Sequence, residues 1–242
     1  METTCGVDIG RAGGGMTRNT NARIAGVAYL LYIGVAFPSM VMFSKVTAGA
    51  DVSAKLASVA RHANDLRLML VLDLVGVFCA LTLAVTLYGI TREEDNELAM
   101  FGLVCRAGEG ILAAILIGTN GLLWLATING PAAPDIPTAN TIGTLLLKIG
   151  GWQTASAATL FAVGSTAFCY LLLRGRMIPA WLAWVGMVGS AIVAVGVPLE
   201  RISVVTGSPA QLMWIPIAVF EITVAVWFII KGVAPARRRV MA

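Results

Sequence analysis

LRLMLVLDLVGVFCALTLAVTLYGI, residues 66–90, is an almost unbroken apolar run whose only charged residues are Arg67 and Asp73. As an α-helix it would extend about 37 Å, which exceeds the roughly 30 Å of hydrocarbon in a bilayer. A run of this length with so few charges is typical of a transmembrane helix. The sequence therefore predicts that this segment crosses a membrane.

The composition of the whole chain excludes a soluble protein. Of the 242 residues, 58% are hydrophobic, 26 are glycine and only 12% are charged, about half the usual charged share of roughly 25%. The mean hydropathy of +0.84 also excludes a disordered chain. The net charge of +4 does not indicate a nucleic-acid partner, because the basic residues lie at the ends of apolar runs. The predicted partner is the lipid bilayer.

Six apolar runs are long enough to cross a bilayer, so the predicted fold is all-α, a polytopic membrane bundle of six transmembrane helices. The predicted spans are residues 22–43, 66–90, 98–127, 149–173, 178–197 and 212–230. The third run exceeds the bilayer thickness, and we expect it to tilt or protrude. Residues 22–233 form the membrane domain, between a disordered tail at 1–21 and a basic tail at 234–242.

Two connecting segments carry patterns of their own. Between residues 51 and 64, apolar side chains recur every three or four positions with Lys55 and Arg61 off the stripe, which predicts a short interfacial helix on the outer side. The stripe consists of Val52, Leu56, Val59 and Ala63. Residues 128–148 contain three prolines among Asn, Thr and Gly, which predicts an extended loop outside the lipid.

The basic residues and the aromatic residues predict the orientation. Six spans place both termini on one side, which carries ten of the 17 Lys and Arg residues, while five lie on the other side and two within spans. This excess predicts that both termini are cytoplasmic. The six tryptophans fall near the predicted helix ends, as interfacial belts do. Tyr29, Tyr32 and Tyr88 are expected to be belt or packing residues.

Five charged residues lie inside the predicted spans, where each costs roughly 2.5–3.5 kcal/mol at the bilayer centre. They are Arg67, Asp73, Arg106, Glu109 and Glu221. Arg106 and Glu109 are three residues apart and can pair on one helix face, and Asn120 returns to nearly the same face three turns later. We expect Asp73 and Glu221 to meet this pair near mid-depth, with Arg67 nearer the surface.

Three functions fit a cluster of three acids around one arginine. The cluster can tie the second, third and sixth spans together. It can be a polar site that binds a small or lipid-like ligand or titrates a proton, since one cation cannot neutralise three acids in a low dielectric. It can also belong to an intramembrane enzyme. Glu109→Gln separates the first two: a tie predicts a lower yield of protein, and a functional site predicts a folded protein without binding or transport.

No cofactor or metal is expected. His62 is the only histidine, and no Gly-rich phosphate loop followed by Lys and Ser or Thr is present. Three of the four cysteines lie within apolar runs, so no disulfide is expected. Because neither a nucleophile set nor a metal-ligand set is recognisable, the sequence favours a non-enzymatic membrane protein.

Small residues mark two candidate packing faces. In the third span they lie in the same row as Arg106, which predicts a close neighbouring helix and a central position for this span. They are Gly102, Gly110, Ala114 and Gly118, and the fifth span has a similar set in Gly186, Gly189 and Gly196. If the protein is a structural or partner-binding subunit, these faces are the predicted contacts for a partner or for a second copy in an oligomer.

Several short motifs occur along the chain in an order that resembles that of a known family. They are Ala22-x-Ile24-Ala25-Gly26-x-x-Tyr29-Leu30, Leu66-Arg67 with Asp73, Arg106-x-x-Glu109, Pro179-x-Trp181-Leu182, and Phe220-Glu221 with Trp227 and Lys231-Gly232. Together they resemble an uncharacterised bacterial integral-membrane family, a domain of unknown function with six transmembrane helices. The resemblance covers about residues 22–233. It implies a multi-pass protein of the bacterial cytoplasmic (inner) membrane and supplies no activity.

Overall fold

The computed structural model describes residues 17–234, which form nine α-helices and one 3₁₀ turn at Gly130–Ala132. The helices are α1 (Arg18–Val46), α2 (Val52–Arg61), α3 (Ala63–Thr91), α4 (Asn96–Ile115), α5 (Ile117–Thr127), α6 (Ile136–Arg174), α7 (Ala180–Arg201), α8 (Ser208–Leu212) and α9 (Ile215–Ile230). Residues 18–21 of the predicted disordered tail are instead the first residues of α1, because Thr17 caps the helix there. The rest of that tail up to residue 16, and the basic C-terminal tail after residue 234, lie outside the described residues.

Six membrane-length helical segments confirm the predicted fold class. They are α1, α3, α4 with α5, α6, α7, and α8 with α9. Residues 17–234 contain no β-strand. The outward sides of these helices are strongly apolar, with Phe78 69% exposed and Val195 61% exposed. Apolar side chains exposed in this way fit a lipid environment rather than water, so the chain is a multi-pass membrane protein.

The six spans form a closed ring in chain order. Each span packs against the next, and α9 returns to contact α1. Short connections make sequential neighbours antiparallel, and an even number of spans lets the last helix lie antiparallel to the first. We call the end of the ring with Thr17 and Ala234 the terminal face, and the opposite end the α2 face. Aromatic side chains, including Phe161, Phe168 and Phe220, fill the interior.

The third span is broken, whereas the sequence predicts one continuous helix over residues 98–127. The break is at Leu116, a non-glycine residue in the left-handed region with φ 48° and ψ 28°. The side-chain amide of Gln153, on α6, donates a hydrogen bond to the Leu112 carbonyl, the group that Leu116 N–H would meet in a continuous helix. Irregular backbone is tolerated at membrane depth where protein satisfies it. The tilt or protrusion expected of this long span stays a prediction.

The predicted extended loop at 128–148 is also wrong beyond residue 135. Helix α6 begins at Ile136, with Asp135 as its N-cap accepting a hydrogen bond from Thr138 N–H at 3.2 Å. Pro137 lies in the first turn, where a helix has no internal partner for the missing N–H. The last of the three prolines therefore starts the helix instead of preventing it, and α6 extends well past the predicted start of its span.

The small-residue faces serve contacts within the chain. Gly102 and Gly118 face α6, and Gly110 faces α3. The third span is therefore one member of the ring, between α3 and α6, and the prediction that it is central is wrong; its inward side chains reach the centre. On α7, Gly186 and Gly189 face α9. An oligomer stays a prediction, and these glycines do not favour it because their faces are already occupied.

The predicted interfacial helix is α2. Asp51 caps it by accepting a hydrogen bond from Ala54 N–H at 2.7 Å. Its apolar stripe packs onto the bundle, with Val59 fully buried beside Leu122 of α5 and Leu56 against α6. Helix α2 therefore covers part of one end of the ring.

Asp95 links the start of α4 to the end of α6, and its contacts predict a pH dependence. It accepts a hydrogen bond from Leu98 N–H at 3.2 Å and pairs with Arg174 at 3.1 Å. The Leu98 hydrogen bond, with a smaller contribution from Arg174, lowers the pKa of Asp95. A carboxyl with a lowered folded-state pKa stabilises the protein above its unfolded pKa of about 3.9, and this stabilisation is lost as the pH falls through the folded value.

We therefore expect Asp95→Ala to lower the unfolding temperature at neutral pH, and its difference from the wild type to shrink below about pH 4. Thermal unfolding in detergent over a pH series checks this. Asp135→Ala is the matched comparison, because Asp135 caps α6 in the same way without a basic partner among residues 17–234. In an Arg174→Gln background, the effect of Asp95→Ala should be smaller, and the effect of Asp135→Ala should be unchanged. A difference that stays constant at low pH would contradict the assignment.

Candidate functional site

Helix α4 directs Arg106 and Glu109 into the ring interior. Arg106 is 0% exposed and Glu109 is 4% exposed. Their spacing of three residues places them on one helix face, and Nη1 of Arg106 lies 3.0 Å from Oε2 of Glu109. The predicted pairing of these two residues is therefore present in the structure.

Neighbouring helices supply the other contacts of this ion pair. The Tyr32 hydroxyl, on α1, donates a hydrogen bond to Oε1 of Glu109 at 2.8 Å. The Arg106 guanidinium lies over the ring of Phe161, on α6, at 4.6 Å from its centroid, and 5.9 Å from that of Tyr32. Cation–π contacts strengthen when they are desolvated. The guanidinium is thus placed between aromatic rings from two other helices.

Sequence reasoning missed Tyr32 and Phe161. Tyr32 lies 14 residues after the start of α1, about 21 Å along the helix. Tyr32 therefore lies too far along the helix to belong to an interfacial belt at the start of the span. This distance is the signal that could have identified Tyr32 as a residue of the interior. Phe161 carries no such signal, because phenylalanine is ordinary in an apolar span.

Helix α9 contributes Glu221, which is 7% exposed. Its carboxyl lies in the same part of the ring interior as Arg106 and Glu109, with Tyr29 and Cys169 nearby. Among residues 17–234 no basic side chain forms an ion pair with Glu221, so the only acid that Arg106 directly contacts is Glu109, on its own helix. We call Arg106, Glu109 and Glu221, with Tyr29 and Tyr32, the buried cluster.

The buried residues of α4 and α9 lie at nearly the same height in the bundle. Arg106 is ten residues from the start of α4 and Glu221 is nine residues from the end of α9, which places both about 14–15 Å from the terminal face. Half of the hydrocarbon thickness is about 15 Å. This height agrees with the expected meeting at mid-depth, which stays a prediction.

Asp73 is not part of the buried cluster. It is half-buried and accepts a hydrogen bond from the Ser39 hydroxyl at 2.6 Å. It lies 18 residues from the end of α3, about 27 Å from the terminal face, so it is about 12 Å further along the bundle than Arg106. The prediction that Asp73 meets Arg106 and Glu109 is wrong, because its part of α3 lies nearer the α2 face and its hydrogen-bond partner is on α1.

Asn120 and Arg67 also lie elsewhere. Asn120 is exposed on α5, and the break at Leu116 removes the helical register that would have placed it on the face of Glu109. Arg67 is exposed near the α2 face and donates a hydrogen bond to the Asn64 side chain at 2.7 Å. Of the five predicted site residues, Asp73 and Asn120 are therefore not brought to the others.

Several charged atoms in the buried cluster have no hydrogen-bond partner among residues 17–234. They are Nε, Nη1 and Nη2 of Arg106, Oε2 of Glu109 and Oε1 of Glu221. The short distance from Arg106 to Glu109 is an ion contact, and its angles are not those of a hydrogen bond. An unsatisfied buried polar group costs about 1–3 kcal/mol, and more when it is charged. The cluster therefore has unused capacity to bind hydrogen-bonding groups.

The charged side chains of the buried cluster are shielded from solvent. The described chain has a groove of about 570 Å³ between α1 and α3 and a cleft of about 370 Å³ at the α2 face, and no residue of the cluster lines either of them. Within residues 17–234 no group of three or more His, Cys, Asp or Glu side chains is placed to hold a metal ion. The chemistry available is that of one guanidinium, two carboxyls and two phenols.

Comparison with protein families identifies the family of this chain. The model of a family described as a domain of unknown function (DUF4386) matches residues 24–232, which is most of the chain and confirms the resemblance found in the motifs. No curated protein and no solved structure matches the chain.

Proposed function

Because the chain belongs to the DUF4386 family, whose description assigns no activity, we propose a function from its geometry: the buried cluster is an intramembrane site that takes up a proton and binds a small polar ligand. The observation that carries the proposal is the set of charged atoms of Arg106, Glu109 and Glu221 that are buried without hydrogen-bond partners.

The charge balance supports proton uptake. One guanidinium faces two carboxyls in a closed apolar interior, and no other basic side chain contacts them among the described residues. A buried charge without a partner is costly, so such a group takes up a proton instead. Glu109 has Arg106 and the Tyr32 hydroxyl as partners. The proton is therefore assigned to Glu221, whose carboxyl has no comparable contact.

The unsatisfied donors of Arg106 support ligand binding. Three guanidinium nitrogens without acceptors favour a ligand that presents oxygen lone pairs, such as a water, a carbonyl or a carboxylate group. A closed interior favours a small ligand over a lipid-like one. Of the ligand classes that the sequence left open, the geometry therefore supports the small polar molecule and the proton.

A structural tie is the second candidate. The contacts of Arg106 and Glu109 join α4 to α1 and α6, which is what a tie between helices requires. A tie, however, stabilises the fold only when its buried polar groups are hydrogen-bonded. The donors and acceptors here that have no hydrogen-bond partner among residues 17–234 do not provide that stability. The cytoplasmic placement of both termini and the bacterial inner membrane stay predictions for either role.

The proton assignment predicts an infrared signature. In vesicles, wild-type protein should show a carbonyl stretch from a protonated carboxyl near neutral pH, and Glu221→Gln should remove it. Glutamine has nearly the same shape as a protonated glutamate, so the variant should fold and unfold like the wild type. Transfer to D2O should shift the band if water-sized molecules reach the site. Infrared difference spectra over a pH series, with thermal unfolding of the same samples, measure both properties.

Asp73→Asn is the matched control, because it removes an intramembrane carboxyl outside the buried cluster. It should leave the Glu221 component of the band unchanged. If the spectra of the wild type and Glu221→Gln coincide over the whole pH range, Glu221 holds no proton and the proposal fails. If Glu221→Gln instead lowers the yield and the unfolding temperature, the tie replaces the proposed site.

A further inference from the structure

The cleft at the α2 face combines basic side chains from three helices. It has a volume of about 370 Å³ and lies where α2, α6 and α7 meet. Its polar and aromatic lining consists of Lys55, Thr144, Lys148, Trp152 and Arg201. Gly151 also lines it and leaves room for the Arg201 guanidinium, because a Cβ there would lie 3.5 Å from Nη1. Three basic residues from three helices thus line one concave surface.

None of these three cations has an acidic partner in the part of the chain that the structure describes. The ion pairs there are Arg18–Glu93, Lys45–Asp65, Arg106–Glu109 and Arg174–Asp95. Asp51 begins α2, but its carboxylate accepts a hydrogen bond from the Ala54 backbone. Glu200 is adjacent to Arg201, and neighbouring residues on a helix do not face each other. Among residues 17–234, the three cations of the cleft therefore form no ion pair and are available to an anionic ligand.

The cleft lies at the depth of lipid headgroups. Along α6, Trp152 is about 33 Å and Lys148 about 39 Å from Arg174, at the terminal face. Arg201 is about 32 Å from the start of α7. The hydrocarbon core is about 30 Å thick, so these side chains lie just beyond it. Tryptophan prefers this interface, and a lipid phosphate lies at the same level.

We propose that this cleft binds a phosphate group, carried either by the headgroup of an anionic phospholipid or by a phosphorylated solute. Arginine donates paired hydrogen bonds to phosphate oxygens, and lysine contributes a point charge. Three cations from three helices can surround one phosphate, and Trp152 can cover the apolar side of a lipid. The site is separate from the buried cluster, and neither proposal depends on the other.

Native mass spectrometry tests the lipid source. Wild-type protein in micelles with equal amounts of phosphatidylglycerol and phosphatidylcholine should retain phosphatidylglycerol. Arg201→Gln and Lys148→Gln should each weaken retention roughly fivefold, because one basic side chain near a lipid surface contributes about that factor. Both side chains are exposed, so the variants should fold. Arg61→Gln is the control, since Arg61 is an exposed arginine of α2 outside the cleft.

Inorganic phosphate tests the soluble source. It is titrated into lipid-stripped protein in detergent while tryptophan fluorescence is recorded, with Trp152→Phe as the blank. A lipid headgroup is the ligand if phosphatidylglycerol retention falls in Arg201→Gln and is unchanged in Arg61→Gln. A phosphorylated solute is the ligand if phosphate changes the Trp152 signal without a preference between the lipids. The proposal is overturned if Arg61→Gln loses as much as Arg201→Gln, or if neither measurement detects binding.

Discussion

Arg106→Gln is expected to destabilise the folded protein by about 3–5 kcal/mol, the cost of removing one partner of a buried ion pair. Glutamine cannot neutralise Glu109, which is 4% exposed and has Arg106 as its only basic contact in residues 17–234. The substitution also removes the guanidinium from the face of Phe161, which lies 4.6 Å away. Most of the loss should come from the carboxylate that stays buried without a counter-charge. Unfolding in detergent, followed by tryptophan fluorescence, measures it.

A second substitution separates this cause from a loss of packing. The double variant with Arg106→Gln and Glu109→Gln removes both charges of the ion pair. It should recover most of the lost stability, because neither position then carries a buried charge. Arg67→Gln is the control for the chemistry of the change, since Arg67 is exposed and bonds only to Asn64. It should have little effect. If the double variant is as unstable as Arg106→Gln alone, the ion pair does not set the stability of the interior.

The number of spans and the fold class could be predicted because hydropathy is a property of single segments. A run such as residues 66–90 must be helical in lipid whatever its neighbours are. The pair of Arg106 and Glu109 could be predicted for the same reason, since its spacing lies within one helix. These features need no knowledge of which helices touch.

The remaining features depend on contacts between helices. The break at Leu116 is accompanied by a hydrogen bond from Gln153, which is far away in the sequence. Tyr32 and Phe161 reach Arg106 because the ring places α1 and α6 around it. Hydropathy does not encode the order of helices around a ring. The prediction for Asp73 failed for a related reason, because its partner Ser39 lies on α1, and hydropathy does not show which helix a side chain faces.

The start of α6 was predicted wrongly for a different reason, the interpretation of its prolines. Three prolines between 128 and 148 indicated a loop, and the rule holds up to Asp135. Pro137 then occupies the first turn of the helix, where proline is favoured. Both interpretations follow from the same property of proline, the missing N–H. The position of the preceding Asp135 N-cap distinguishes them, and that signal was present in the sequence.

Gly26→Val is expected to open the contact that closes the ring, at a cost of about 1–3 kcal/mol, as for overpacked cores. Gly26 lies on α1 against α9, and a Cβ at this position would lie 2.7 Å from the Ala225 carbonyl oxygen and 2.7 Å from Cγ1 of Ile229. A side-chain atom can move aside, but a backbone carbonyl in the middle of a helix cannot, so α1 and α9 must separate. Glu221 is on the same helix as Ala225, one turn away, and the separation should also disturb the buried cluster.

The same helix offers the control. Gly34 is two turns further along α1, and a Cβ there would have no heavy atom within 4 Å. Gly34→Val makes the same change of helix propensity without a clash, so its unfolding free energy should stay within about 0.5 kcal/mol of the wild type, the usual range for surface positions. Equal losses in the two variants would mean that valine acts through the backbone of α1 alone. A loss confined to Gly26→Val would show that the close contact between α1 and α9 stabilises the ring. The sequence motif around Ala25 and Gly26 could not reveal this contact, because it does not show that α9 packs there.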